Sequence, residues 1–141
     1  EDYKVAADVW SVTSYKELRR DGMDAERWNM LHPLSEPKVP YVTQMLKDEE
    51  GVFVAASDYV KTLPDSIGKW FPRQLFSLGT DGFGRSEGRA ELRDFFEVDA
   101  KHIVLATLYA LYKEGKIKQP VIEKAIRDLE INPEKLNPLT A

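Results

Sequence analysis

The sequence predicts an α/β fold, an open and mostly parallel sheet covered by helices, and three observations carry that prediction. Strand-like and helix-like runs alternate through the first half of the chain. Residues 52–56, Val-Phe-Val-Ala-Ala, are apolar at every position, as parallel strands buried on both faces are. A short apolar run then ends at Gly79 and breaks on three glycines within six positions, before a charged, helix-prone stretch at 87–96. Strand, tight loop and helix in that order put the loop at the carboxyl edge of a sheet, where such folds meet ligands and partner domains.

Taken in order, residues 5–14 are rich in β-branched and aromatic side chains, with Val9, Trp10 and Val12 at the centre, and read as a buried strand. Ser14 stands three residues before Glu17, the spacing at which two side chains each satisfy an amide at a helix start. A short helix is expected to Arg20, with Asp21 and Gly22 ending it, because glycine takes the left-handed conformation of a helix exit. A second helix, 24–31, stops at His32 and Pro33. Prolines 33, 37 and 40 make the next stretch an extended connector, and Pro40 opens a helix to Lys47, since its missing amide would be unpaired there anyway. Residues 48–51 turn the chain into the second strand, 52–56. Ser57 or Asp58 caps the helix that follows, interrupted near Pro64 and Gly68, and the third strand runs over 76–79. Beyond the glycine loop, Ser86 is expected to cap a helix over 87–96. Asp99 caps the longest helix, 100–114, whose apolar face uses Val104, Leu108 and Leu111 and whose exit is Gly115. Pro120 begins a further helix to Leu129, and Asn132 and Pro133 start a final turn.

With 141 residues the chain is read as one domain, long enough to bury about two thirds of its unfolded surface. A hydrophobic content of 43% with 31% charge is that of a globular chain, and no stretch approaches the roughly 20 apolar residues that span a bilayer. No membrane partner is therefore expected. The first residues show neither a secretory apolar run nor the arginine-rich, acid-poor character of a transit peptide, so the expected location is cytoplasmic. The absence of cysteine removes disulfides, thiolate metal sites and a cysteine nucleophile. A net charge of -4 speaks against a nucleic-acid partner, because that affinity comes mainly from neutralising phosphates.

The candidate functional residues are Gly79, Thr80, Asp81, Gly82, Phe83, Gly84, Arg85 and Ser86, read as an interface or anion-binding loop. Gly79, Gly84, Arg85 and Ser86 come within one residue of the phosphate-cradling pattern G-x-x-x-x-G-K-[S/T], with arginine in the lysine position. Arginine does not replace that compact charge, and no apolar strand ending in aspartate follows to hold magnesium, so nucleotide hydrolysis is not expected. A simple anion site stays open beside the plainer reading, a packed turn whose glycines let another backbone approach. The G-x-S-x-G order of a hydrolase elbow is absent, and His32 and His102 lie far apart without a paired-ligand motif, so neither catalytic residues nor a zinc site are expected. Trp10, Trp28 and Trp70 read as core or interface anchors.

Several stretches carry a resemblance: Ala-Asp-Val-Trp-Ser-Val-Thr-Ser at 7–14, Glu-Arg-Trp-Asn-Met-Leu-His-Pro at 26–33, Ala-Ser-Asp-Tyr at 56–59, Leu-Gly-Thr-Asp-Gly-Phe-Gly-Arg-Ser at 78–86 and Phe-Glu-Val-Asp-Ala at 96–100. Together with the Asn137-Pro138 ending, the chain resembles, over nearly its whole length and in collinear order, the carboxyl-terminal domain of the homodimeric bacterial pyruvate dehydrogenase first component. More loosely it is similar to the third domain of transketolase. The resemblance implies a three-layer α/β/α domain around a mostly parallel sheet, here lacking its first strands, so that a strand edge is exposed. It implies a parent enzyme that decarboxylates pyruvate on thiamine diphosphate with Mg2+ and passes the acetyl unit to a lipoyl group of a partner acetyltransferase. It also implies that the cofactor lies between the preceding domains. The family's Gly-Asp-Gly motif is not matched, since Thr80 precedes Asp81 and Gly82, and the first asparagine downstream is Asn132. No catalytic, cofactor-binding or metal-binding residue carries over. The implied partners are the preceding domains, a second copy of the chain and the lipoyl acetyltransferase. A free-standing anion- or nucleotide-binding module built on residues 79–86 stays the alternative.

Overall fold

The computed structural model describes residues 2–141. Six helices, one 3-10 turn and two strands follow in the order α1 (Tyr15–Leu31), α2 (Tyr41–Leu46), β1 (Phe53–Ala56), α3 (Thr62–Asp65), the 3-10 turn Gly68–Trp70, β2 (Leu75–Leu78), α4 (Arg89–Phe95), α5 (Ala100–Lys113) and α6 (Gln119–Asp128). The strands pair in parallel, Phe53 opposite Leu75 through Ala56 opposite Leu78, with the short α3 in the crossover between them.

Alternation along the two strands sends side chains to opposite faces, and each face has its own core. On one, Phe53 joins Val42 and Leu46 of α2 with Ile67 and Trp70, backed by Tyr15 and Leu18 of α1. On the other, Val54, Phe76 and Leu78 meet Val98 and Ile103 and Ala106 of α5. Helices thus cover both faces, and the three-layer α/β/α arrangement holds, with α6 packed on α5.

Three expectations are corrected. Residues 5–14 form no strand: they run as unpaired coil, with Val9 96% and Trp10 51% exposed. A strand is made by the neighbour that takes its amides and carbonyls, and β-branched composition without such a neighbour leaves extended chain. The sheet accordingly has two strands where three were read. Gly22 does not end a helix, because α1 continues through it to Leu31. A Cβ at Gly22 would stand 2.5 Å from the Trp70 ring, so this glycine admits the indole, while Asp21 Oδ2 accepts the Tyr41 amide 2.6 Å away and caps α2 from outside. Ser86 caps nothing, since α4 starts at Arg89 from an extended Gly88.

Other signals stand where they were read. Ser14 Oγ accepts the Glu17 amide, Asp99 Oδ1 accepts the His102 amide, and Gly115 leaves α5 with φ of 73°. Among the described residues no helix is long and apolar enough to cross a membrane.

Candidate functional site

The carboxyl ends of both strands open into one cleft of about 480 Å³, bounded by the Asp58 turn after β1, the glycine loop after β2 and the side of α4. The loop divides into an anchored half and a free half. Gly79 is buried against the β1 turn, where a Cβ would press on the Tyr59 carbonyl at 2.5 Å. The Thr80 amide donates to Tyr59 O at 2.9 Å and its hydroxyl to Asp58 O at 2.8 Å, so Thr80 ties the two strand ends together. Asp81 Oδ2 accepts the Lys61 amide at 3.0 Å, just ahead of α3, whose own cap has no side-chain bond. Gly82 has φ of 128° and faces the Pro138 carbonyl, which fills the space a Cβ would need.

The second half differs. Phe83 is 80% exposed, a Cβ at Gly84 would stand in open space, and Ser86 makes no hydrogen bond among the described residues. Arg85 lays its guanidinium 4.1 Å from the centroid of the Phe95 ring. The cleft also receives Arg89 and Arg93, and Arg93 is the only one of the three with a carboxylate in range among the described residues, Asp58 at 3.8 Å. Leu92, Phe96 and Val98 form its apolar floor. The plainer sequence reading therefore describes Gly79 and Gly82, and the residues with chemistry to spare are arginines, two of them on α4 and outside the glycine motif.

A second cluster was missed in the sequence. Asp94, Asp99 and His102 bring possible ligand atoms within 4.8 Å of one another at the α4–α5 join. Asp94 Oδ1 is paired with Lys101 Nζ at 2.5 Å, however, and Asp99 Oδ1 faces His102 Nδ1 at 2.6 Å, which places the hydrogen on that nitrogen. The Lys101 hydrogen bond, aided by the charges of Lys135 and Lys101, holds the Asp94 carboxyl below the ordinary value of 3.8 against the desolvation that opposes it. These groups satisfy one another and act as a clasp. The signal available was the aspartate three residues before a histidine at a helix start.

The chain has clear relatives. Residues 1–99 match the family model described as the transketolase-like TK C-terminal domain. The pyruvate dehydrogenase E1 component of Pseudomonas aeruginosa is 50% identical over 139 residues, covering 98% of this chain and 16% of that protein. Those of Escherichia coli K12 and Haemophilus influenzae are each 48% identical over 141 residues, covering 99% of this chain and 16% of theirs. The chain thus spans about a sixth of the length of the curated relatives it matches.

Proposed function

Since the chain belongs to the family of transketolase-like C-terminal domains, we propose that it is the carboxyl-terminal structural and interface domain of a pyruvate dehydrogenase E1 component. The observation that carries this reading is identity of about half over 98–99% of the chain to proteins of that one name. The parent would decarboxylate pyruvate on thiamine diphosphate and pass the acetyl unit to a lipoyl group. It would act in the cytoplasm as a homodimer. This domain would contribute packing against the preceding domains and a second copy.

The residues present do not fit a magnesium-diphosphate cofactor. Asp81, the one carboxylate within the glycine motif, is occupied by the Lys61 amide, and the space beside Gly82 is taken by the Pro138 carbonyl. The cofactor would therefore be held by other parts of the parent. Exposed Val9, Trp10 and Val12 support an interface role, because apolar side chains in one run of unpaired backbone are what a neighbouring domain covers. A free-standing anion-binding module is not favoured, given relatives half identical across nearly all of the chain.

The test is the mass, under denaturing conditions, of the polypeptide that the native gene produces, with calorimetry alongside. A mass several times 16.2 kDa is expected, as is binding of magnesium-thiamine diphosphate to the whole product with none to residues 1–141 alone. A mass near 16 kDa, or cofactor binding by the isolated chain, overturns the proposal.

A further inference from the structure

We propose that the cleft at the carboxyl ends of β1 and β2 binds a small ligand through a phosphate group. Arg85, Arg89 and the free half of the glycine loop would take the oxygens, and Leu92, Phe96 and Val98 would carry the ligand's apolar or planar remainder. Four observations converge on it. The chain as a whole carries a net charge of -4, yet three arginines meet in this one cleft against the carboxylates of Asp58 and Glu87. Arg85 and Arg89 have no carboxylate within 4.0 Å among the described residues, and the Arg93–Asp58 pair, at 3.8 Å and largely exposed, holds weakly.

The third observation is a row of unused donors. Among the described residues, no backbone amide from 82 to 88 donates to a protein acceptor, whereas the amide of Thr80 and the carboxylate of Asp81 are both engaged. The free donors therefore stand on a fixed base. Fourth, the Phe95 ring holds the Arg85 guanidinium by its face, which leaves the N–H edges free for oxygens. A phosphate presents several oxygens in a tetrahedron and engages two separate guanidiniums and loop amides at once, which a single planar carboxylate does less well. The cleft, of about 480 Å³, is shallow and open to solvent, so the phosphate contacts would carry most of the binding. The chain's net charge of -4 disfavours a nucleic-acid chain. The assignment does not rest on the pyruvate dehydrogenase reading.

Calorimetric titration of the intact gene product with phenyl phosphate, inorganic phosphate and phenol tests it, using wild type, Arg89→Gln, the double variant Arg85→Gln/Arg89→Gln, and, as a control, Arg20→Gln on α1, which packs in the core on the other face of the sheet. Expected are tighter binding of phenyl phosphate than of inorganic phosphate, no binding of phenol, a Kd raised at least tenfold by Arg89→Gln, loss in the double variant and no change in the control. All three positions are exposed, and matching thermal melts verify that folding is untouched. Absence of phosphate-ester binding at 10 mM overturns the assignment. So does binding that survives in the double variant, which belongs elsewhere in the polypeptide. Binding of hexaglutamate that Arg89→Gln abolishes, with none of phenyl phosphate, would overturn it in favour of an acidic peptide.

Discussion

Gly82 and Gly22 are glycines for two different reasons, and substitution separates them. At Gly82 both conformation and space forbid a side chain, since φ is 128° and the Pro138 carbonyl stands where a Cβ would go. Gly82→Ala should cost about 2–4 kcal/mol in a thermal or urea melt, a positive-φ penalty plus displacement of the tail. At Gly22 the backbone is helical and alanine would be favoured by about 1 kcal/mol, but its methyl would stand 2.5 Å from the Trp70 ring. Overpacking costs about 1–3 kcal/mol, so Gly22→Ala should still destabilise the wild type. In a Trp70→Leu background the same change should become neutral or stabilising. Equal effects in both backgrounds would show that the ring is not the reason.

At the scale of elements, the caps and clasps that join helices decide the architecture as much as the helices themselves. Asp21 on α1 caps α2, Asp81 in the loop serves the amide ahead of α3, and Asp94 on α4 grips Lys101 on α5. The last pair has a pH dependence whose sign follows from its shifts. Asp94 titrates below 3.8 when folded, chiefly through the Lys101 hydrogen bond, so its contribution is complete above that value and is lost as the pH falls through the lower folded value. Lys101 titrates above 10.5, chiefly through the same bond, so its contribution is complete below that value and is lost as the pH rises past the folded one. Asp94→Asn should therefore lower the urea midpoint at neutral pH, and the gap from wild type should close in acid. A gap that stays constant from about pH 7 to pH 2 would remove the pair from the account. The two side chains are about a third to a half exposed, so the effect is small.

For the whole molecule, the contrast lies between two well-made cores and an apolar amino-terminal run outside both. Leu108, 2% exposed in α5, should lose about 2–5 kcal/mol on change to alanine. Val9→Ala, in the exposed run, should stay within about 0.5 kcal/mol. The same run should make the isolated chain self-associate, because exposed apolar side chains on backbone with free amides and carbonyls are a template for pairing. Sedimentation over rising concentration should show that association, and Trp10→Ser should reduce it with little change in stability. A chain that stays monomeric at every concentration would sink this prediction.

The local signals legible in the sequence were those whose physics is local. Ser14 and Asp99 cap helices with side chains three residues from the amides they accept, Gly115 takes a positive φ, and the apolar run at 52–56 gives Phe53 to one core and Val54 to the other. The resemblance read at 78–86 and 96–100 likewise needed only residue order, and residues 1–99 match the family model. What the sequence could not decide were matters of partnership across distance. That Gly22 makes room inside a helix for the Trp70 ring depended on a residue 48 positions away. Whether 5–14 is a strand depended on a neighbour to pair with. Which half of the glycine loop is free depended on Tyr59, Lys61 and Pro138 meeting the other half. Spacing along the chain carries caps and periodicity, whereas close packing and shared hydrogen bonds exist only once distant segments have come together.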